Sequence, residues 1–234
     1  MLKQNYVKDV VVVAVHPDDE TLGAGGTLLR HKSNGDRIHC IFCTDIYETE
    51  GFTKDQILKR DKELVQVCRM YDFDTYYRLG LKAAKVDEYS KSFLVNQFSQ
   101  IFSKIAPNIV YLPFAYDVHS DHRAIFEAVY SCTKSFRYPS IEKILMMEVV
   151  SETEFAPPFL NSSFIPNVFV DITEFINKKC DIMKIYESEL RSPPFPRSIE
   201  NLKALALHRG CVLGGGQDEY TYAESFMLVR ERIK

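Results

Sequence analysis

Residues 10–27 read VVVVAVHPDDETLGAGGT, and this stretch decides the fold. The run Val10–Val15 is apolar and rich in β-branched residues, so it reads as a strand buried on both faces of a parallel sheet. It stops at His16-Pro17, because proline lacks an N–H and constrains the residue before it. Asp18, Asp19 and Glu20 follow at once, and a helix begins there with Asp19 or Thr21 as N-cap. A strand tip that turns into a helix is where open α/β sheets place their ligands. Here the tip carries a histidine and two aspartates within four residues, groups that can hold a divalent metal and activate water.

Outward from this stretch, strands and helices alternate. The first helix runs from Glu20 to Asn34 and stops at Gly35. Strand Arg37–Thr44 follows, then a polar loop and a helix over Lys54–Met70. Tyr76–Leu79 reads as a short strand, and 87–105 as an amphipathic helix with Phe93, Leu94, Phe98, Ile101, Phe102 and Ile105 in one stripe. Asn108–Pro113 is a second buried strand ended by proline. A helix is expected over His122–Phe136 and strands over Ile144–Val150 and Val168–Ile172. Helices follow over Glu174–Leu190 and Leu202–Leu207, with SPPFPRS as a rigid linker between them. The alternation predicts an α/β fold of three α/β/α layers around a mostly parallel sheet. One domain, 1–234, is expected, with its last third (151–234) shaping substrate specificity.

The composition narrows the function. A hydrophobic fraction of 46% supports a real core, and a net charge of −3 without basic blocks excludes nucleic acid as the natural partner. No stretch approaches the roughly 20 apolar residues needed to span a bilayer, and the N-terminus lacks a signal-peptide core. The expectation is a cytoplasmic protein with six reduced cysteines. Cys40 and Cys43 match a C-x-x-C spacing, but residues three apart in a strand face opposite ways, so core packing is expected.

About a hundred residues after the first tip comes a second, Asp117-Val-His119-Ser-Asp121-His122. Both lie where a buried strand ends and a helix begins, so a parallel sheet can bring them to one edge. Histidine and aspartate together suit zinc, and three protein ligands with an open position are the pattern of a catalytic site. A carboxylate that is not a ligand can take the proton of the activated water. The same donors also accept iron or cobalt.

His-Pro-Asp-Asp-Glu followed by Thr-Leu-Gly-Ala-Gly-Gly, with His119-Ser-Asp121-His122 later, resembles the LmbE-like/PIG-L family of zinc-dependent de-N-acetylases. Arg60 and Glu63 match its Arg-x-x-Glu, and Arg209-Gly210 and Tyr222-Ala223-Glu224-x-Phe226 match its C-terminal pattern. The resemblance implies a Rossmann-like sheet and a hydrolase that removes the N-acetyl group of an N-acetylated, lipid- or nucleotide-linked sugar. It makes His16, Asp19 and His122 the zinc ligands and Asp18 the general base. Asp121 then orients His119 or His16, and His119 faces the developing oxyanion. Arg60 binds sugar hydroxyls or phosphate. Relatives are often oligomeric, which allows a homo-oligomer. One departure stands out: where some relatives carry a tyrosine two residues before the second motif, this chain has Asp117, a group for sugar hydroxyls or for loop capping.

Blander readings stand beside these. Gly23, Gly25 and Gly26 superficially resemble a phosphate loop of a nucleotide-binding protein, but the preceding acids repel phosphate, so close helix packing is expected. Glu224 is equally a substrate contact or a structural ion pair. Glu20 complements the helix N-terminus. A metal- and sugar-binding protein without catalysis is the other rival, against which the intact Asp18 argues.

Overall fold

The structure, a computed structural model, describes residues 6–214 and 220–233; the first five residues of the N-terminal reading lie outside these. The elements are β1 (Asp9–Ala14), α1 (Asp19–Ser33), β2 (Arg37–Asp45), α2 (Lys54–Tyr71), β3 (Thr75–Lys82), α3 (Lys91–Ile105), β4 (Ile109–Leu112), α4 (Ser120–Ser131), β5 (Lys143–Met147), β6 (Val168–Asp171), α5 (Ile176–Met183), α6 (Ile199–Gly210) and β7 (Ala223–Glu231). The sheet has the order β3-β2-β1-β4-β5-β7-β6. Strands β1 to β5 pair in parallel, and β7 runs antiparallel to both β5 and β6. The expected α/β layering is therefore present.

Strand β1 sits centrally, and its alternating side chains feed two cores. Val10, Val12 and Ala14 pack with residues of α1, α2, α5 and α6. Val11, Val13 and Val15 pack with α3 and α4. Cys40 and Cys43 fall into opposite cores and are unpaired thiols, as a strand requires. The chain passes from β1 to β2 on one side and from β3 back to β4 on the other, so the crevice between β1 and β4 is the switch point of the sheet.

Several boundaries differ from the sequence reading. A separate 3₁₀ turn covers 86–88, and α3 starts only after Ser90, whose hydroxyl accepts the Phe93 N–H. Phe93 therefore sits on the exposed first turn, off the buried stripe. Helix α5 stops at Met183, so the chain turns away early and places Tyr186 and Glu189 near α1 and α2. Strand β7 had no assignment, because its partners β5 and β6 are remote in sequence and no hairpin turn announces it.

The glycines of α1 serve packing. A Cβ at Gly23 would lie 2.9 Å from Met147, one at Gly25 2.6 Å from the Tyr71 hydroxyl, and one at Gly26 2.7 Å from Ile172. Such positions leave no concavity for a phosphate. Beside them, Glu224 accepts the Gly26 and Thr27 N–H groups at 2.8 and 2.7 Å, while Lys179 donates to Glu224 at 2.7 Å and to the Leu22 carbonyl at 3.0 Å. Both charged residues are buried. The structure thus shows the ion pair and engages both Glu224 oxygens within the chain. Among the described residues, no helix is long and apolar enough to cross a membrane.

Removing one partner of a buried pair strands the other charge. Glu224→Ala is expected to destabilise the fold by about 3–5 kcal/mol, read as a lowered denaturation midpoint. Unchanged stability with lost activity would return Glu224 to the substrate.

Candidate metal centre

The two strand tips meet. Pro17 ends the first, and Asp18 takes φ 136° and ψ −26°, a positive-φ conformation that costs a non-glycine residue about 1–3 kcal/mol. The helix N-cap falls on Asp18 and not on Asp19 or Thr21. Its carbonyl accepts the Thr21 and Leu22 N–H groups, but its side chain makes no cap bond and is left for other work. Asp19 instead turns back, and its Oδ2 accepts the His16 N–H at 2.7 Å.

Each histidine is held by a carboxylate. His122 is fully buried, and its Nδ1 lies 2.8 Å from Asp117 Oδ2. His16 Nε2 lies 3.0 Å from Asp121 Oδ2. With those nitrogens donating to the carboxylates, His16 Nδ1 and His122 Nε2 are the ring atoms left to face a cation, which would displace any proton on them. These two nitrogens are 3.4 Å apart, and Asp19 Oδ2 is 3.3 Å from the second and 3.8 Å from the first. Tetrahedral zinc with ligand bonds of about 2.0–2.1 Å has ligand–ligand edges of about 3.4 Å. The three donors therefore fit a single cation. The other grouping that could hold one, His16, His119 and Asp121, spends Asp121 on the Ala84 and Val86 amides and on His16.

The charges agree with a place for a cation. Burial would raise the Asp19 carboxyl, yet His122 and His16 overcome this and hold it at about 2. Burial would lower His122, but Asp19 and Asp117 together keep it well above the usual value. Asp18 is pushed well above the carboxylate range by burial and by Asp19, with Arg197 opposing. Burial and His16 lower His119, so its imidazole is neutral near neutrality. His119 Nδ1 accepts the Asp121 N–H at 3.1 Å, which leaves its Nε2 as the proton carrier.

Five of the expected residues are thus gathered at one edge: His16, Asp18, Asp19, Asp121 and His122, with His119 beside them at a ring-centroid distance of 4.6 Å from His16. The Asp121 carboxylate bonds to His16, and its backbone N–H to His119. Asp117 is not a rim group for sugar hydroxyls. It is fully buried, and its two oxygens take His122 and the Thr153 hydroxyl. Arg60 is also engaged by the chain, with the Pro17 carbonyl, Ser188, Glu189 and Glu63 as partners. Sequence reading missed Arg197, whose Nη1 donates to Asp18 Oδ2 at 3.1 Å, and Glu152, whose Oε2 is buried without a partner among the described residues. Neither lies in a strand-tip motif, so no local signal marked them.

A family model described as PIG-L, GlcNAc-PI de-N-acetylase, matches residues 11–133, a little over half of the chain and both strand tips. The chain belongs to this family. A probable N-acetyl-α-D-glucosaminyl L-malate deacetylase of Bacillus subtilis is 27% identical over 128 residues, which cover 51% of the chain and 58% of that relative. A diacetylchitobiose deacetylase of Thermococcus kodakarensis is 23% identical, across 96% of the chain and 84% of that protein. A conserved protein of Thermus thermophilus shares the fold with a TM-score of 0.76, at 24% identity and 97% coverage of both chains. The PIG-L match ends before β5, so the region contributing Glu152, Glu189 and Arg197 lies beyond it.

Glu20, one residue past Asp19, gives a pH test. Burial raises its carboxyl from the usual 4.5 to about 7, against hydrogen bonds from Thr21, Tyr186 and the Asp18 N–H. Between these values the folded state keeps a proton that the unfolded chain has lost. The contribution of Glu20 to stability therefore falls as pH rises from about 4.5 to about 7, by on the order of 3 kcal/mol. Denaturation of Glu20→Gln across that range is expected to show a flatter profile than the parent; an identical slope would remove Glu20 as its source.

Proposed function

We propose that this PIG-L protein hydrolyses the acetamide of an N-acetylated amino sugar, releasing acetate and a free amine. The observation that carries the reading is the convergence of His16 Nδ1, Asp19 Oδ2 and His122 Nε2 beside a buried carboxylate, Asp18, that is no member of the triad. Zinc is the metal this donor set suits best, with iron and cobalt as ions it also accepts. When bound, the ion supplies a Lewis acid that polarises the acetyl carbonyl and brings the pKa of water towards about 7.

The side chains supply the rest. Asp117 and Asp121 fix the tautomer and ring orientation of the two ligand histidines. Asp18 takes a proton as water attacks the carbonyl carbon, and its burial makes it a stronger base than a free aspartate. His119, neutral and carrying its proton on Nε2, donates towards the oxyanion. As the C–N bond breaks, the departing amine takes a proton from Asp18 or His119. The relatives named as deacetylases of N-acetylglucosaminyl malate and of diacetylchitobiose support an N-acetylglucosaminyl substrate. Specificity belongs to the last third of the chain, where residues 151–167 expose Phe155, Phe159 and Leu160. Phe164 is half-buried and packs edge-to-face with Phe114.

Acetate release from N-acetyl sugars, with and without chelator, tests the activity. Asp18→Asn is expected to keep the metal and lose about 10²–10⁴-fold in kcat. His122→Ala is expected to lose the metal itself, measured by elemental analysis. Full turnover in the first variant, or unchanged metal content in the second, would overturn the assignment.

A further inference from the structure

Arg197 is the penultimate residue of the segment SPPFPRS and follows Asp18 by 179 residues in sequence. Its Nη1 donates to Asp18 Oδ2 at 3.1 Å and lies 3.3 Å from Glu189 Oε2. Glu189 in turn accepts from Arg60 and, at 3.0 Å, from the Ser188 hydroxyl. Arg60 reaches back to the Pro17 carbonyl at 3.4 Å. Pro17, Arg60, Glu189, Arg197 and Asp18 therefore form a closed circuit of contacts around the first strand tip. The guanidinium also lies over the Phe195 ring, 5.6 Å from its centroid, which restricts its swing.

This arrangement answers a difficulty of the tip. Asp18 is buried beside the negative charges of Asp19, Glu20 and Glu189, on backbone held at positive φ. Left to itself, the carboxylate would turn away from its like-charged neighbours. Arg197 captures one oxygen, Oδ2, and among the described residues none donates to Oδ1. Its own Nε–H is buried and takes no partner among them, so the side chain is not used up in holding the loop together.

We infer that Arg197 is a positioning residue: it holds Asp18 by Oδ2 so that Oδ1 faces the attacking water. The inference rests on the reading of Asp18 as general base. A displacement of about 1 Å in a reacting group can cost about 10²-fold, and the loss falls on kcat rather than on substrate binding.

The test compares Arg197→Ala, Arg197→Lys and Asp18→Asn in the metal-loaded enzyme. Arg197→Ala is expected to lower kcat about 100-fold. KM and metal content are expected to stay near the parent values. Arg197→Lys is expected to recover part of the loss, and millimolar guanidinium ion is expected to raise kcat of Arg197→Ala but not of Asp18→Asn. Unchanged kcat in Arg197→Ala overturns the inference. So does a loss that comes with lost metal or a lowered melting temperature and answers to neither lysine nor guanidinium. If Asp18→Asn itself turns over normally, it is the base assignment that fails, and the two failures are told apart.

Discussion

Three donor atoms aimed at one point are the constraint on which the rest of this molecule depends. His16 Nδ1, His122 Nε2 and Asp19 Oδ2 stand 3.3–3.8 Å from one another, close enough to repel unless a positive charge lies between them. They can be assembled only because β1 and β4 are neighbours in the sheet. Val10–Val12 pair in register with Ile109–Tyr111, so the two loops leave the same edge side by side. The strand cores that set this register are almost wholly apolar and buried, and the sheet pins the ligands more firmly than any loop could.

Around that point the protein gathers an unusual density of buried acid. Asp18, Asp19, Glu20, Asp117 and Asp121 are all nearly inaccessible to solvent. Their environments push them apart. Asp19 and Asp121 are held low by the imidazoles they face. Asp18 and Glu20 are raised by burial that no full counter-charge relieves. Adjacent carboxylates thereby acquire opposite proton affinities without any difference in chemical type. Such a cluster is costly to fold, and a bound cation would offset part of that cost.

The last third of the chain closes the arrangement from outside the family's matched segment. Thr153 anchors Asp117, Glu189 links Arg60 to Arg197, and Arg197 reaches Asp18. The Lys179–Glu224 pair does the corresponding job lower on α1, where it engages the backbone of residues 22, 26 and 27. Thus α1, whose first turn carries Asp19 and Glu20, is gripped at both levels by segments remote in sequence. Members of one family can share the metal site and still differ in what this outer region admits.

By itself, the sequence determined the layered fold and the pair of strand tips. An uninterrupted valine run halted by His-Pro, and a second strand halted by Leu-Pro, carry their meaning locally, because backbone geometry and burial act over a few residues. The same locality made His16, Asp19 and His122 legible as residues that would be brought together and the α1 glycines legible as packing. Only the tertiary structure decided the partners. Asp117 bonds to His122, Arg60 to Glu189 and Glu224 to Lys179, contacts that no local pattern announces. The pairing of β7 and the contact of Arg197 carried no local signal, since an antiparallel insertion between distant strands, or an ion pair spanning 179 residues, exists only once the chain has folded. Charge pairing depends on distance in space, and a single sequence records only distance along the chain.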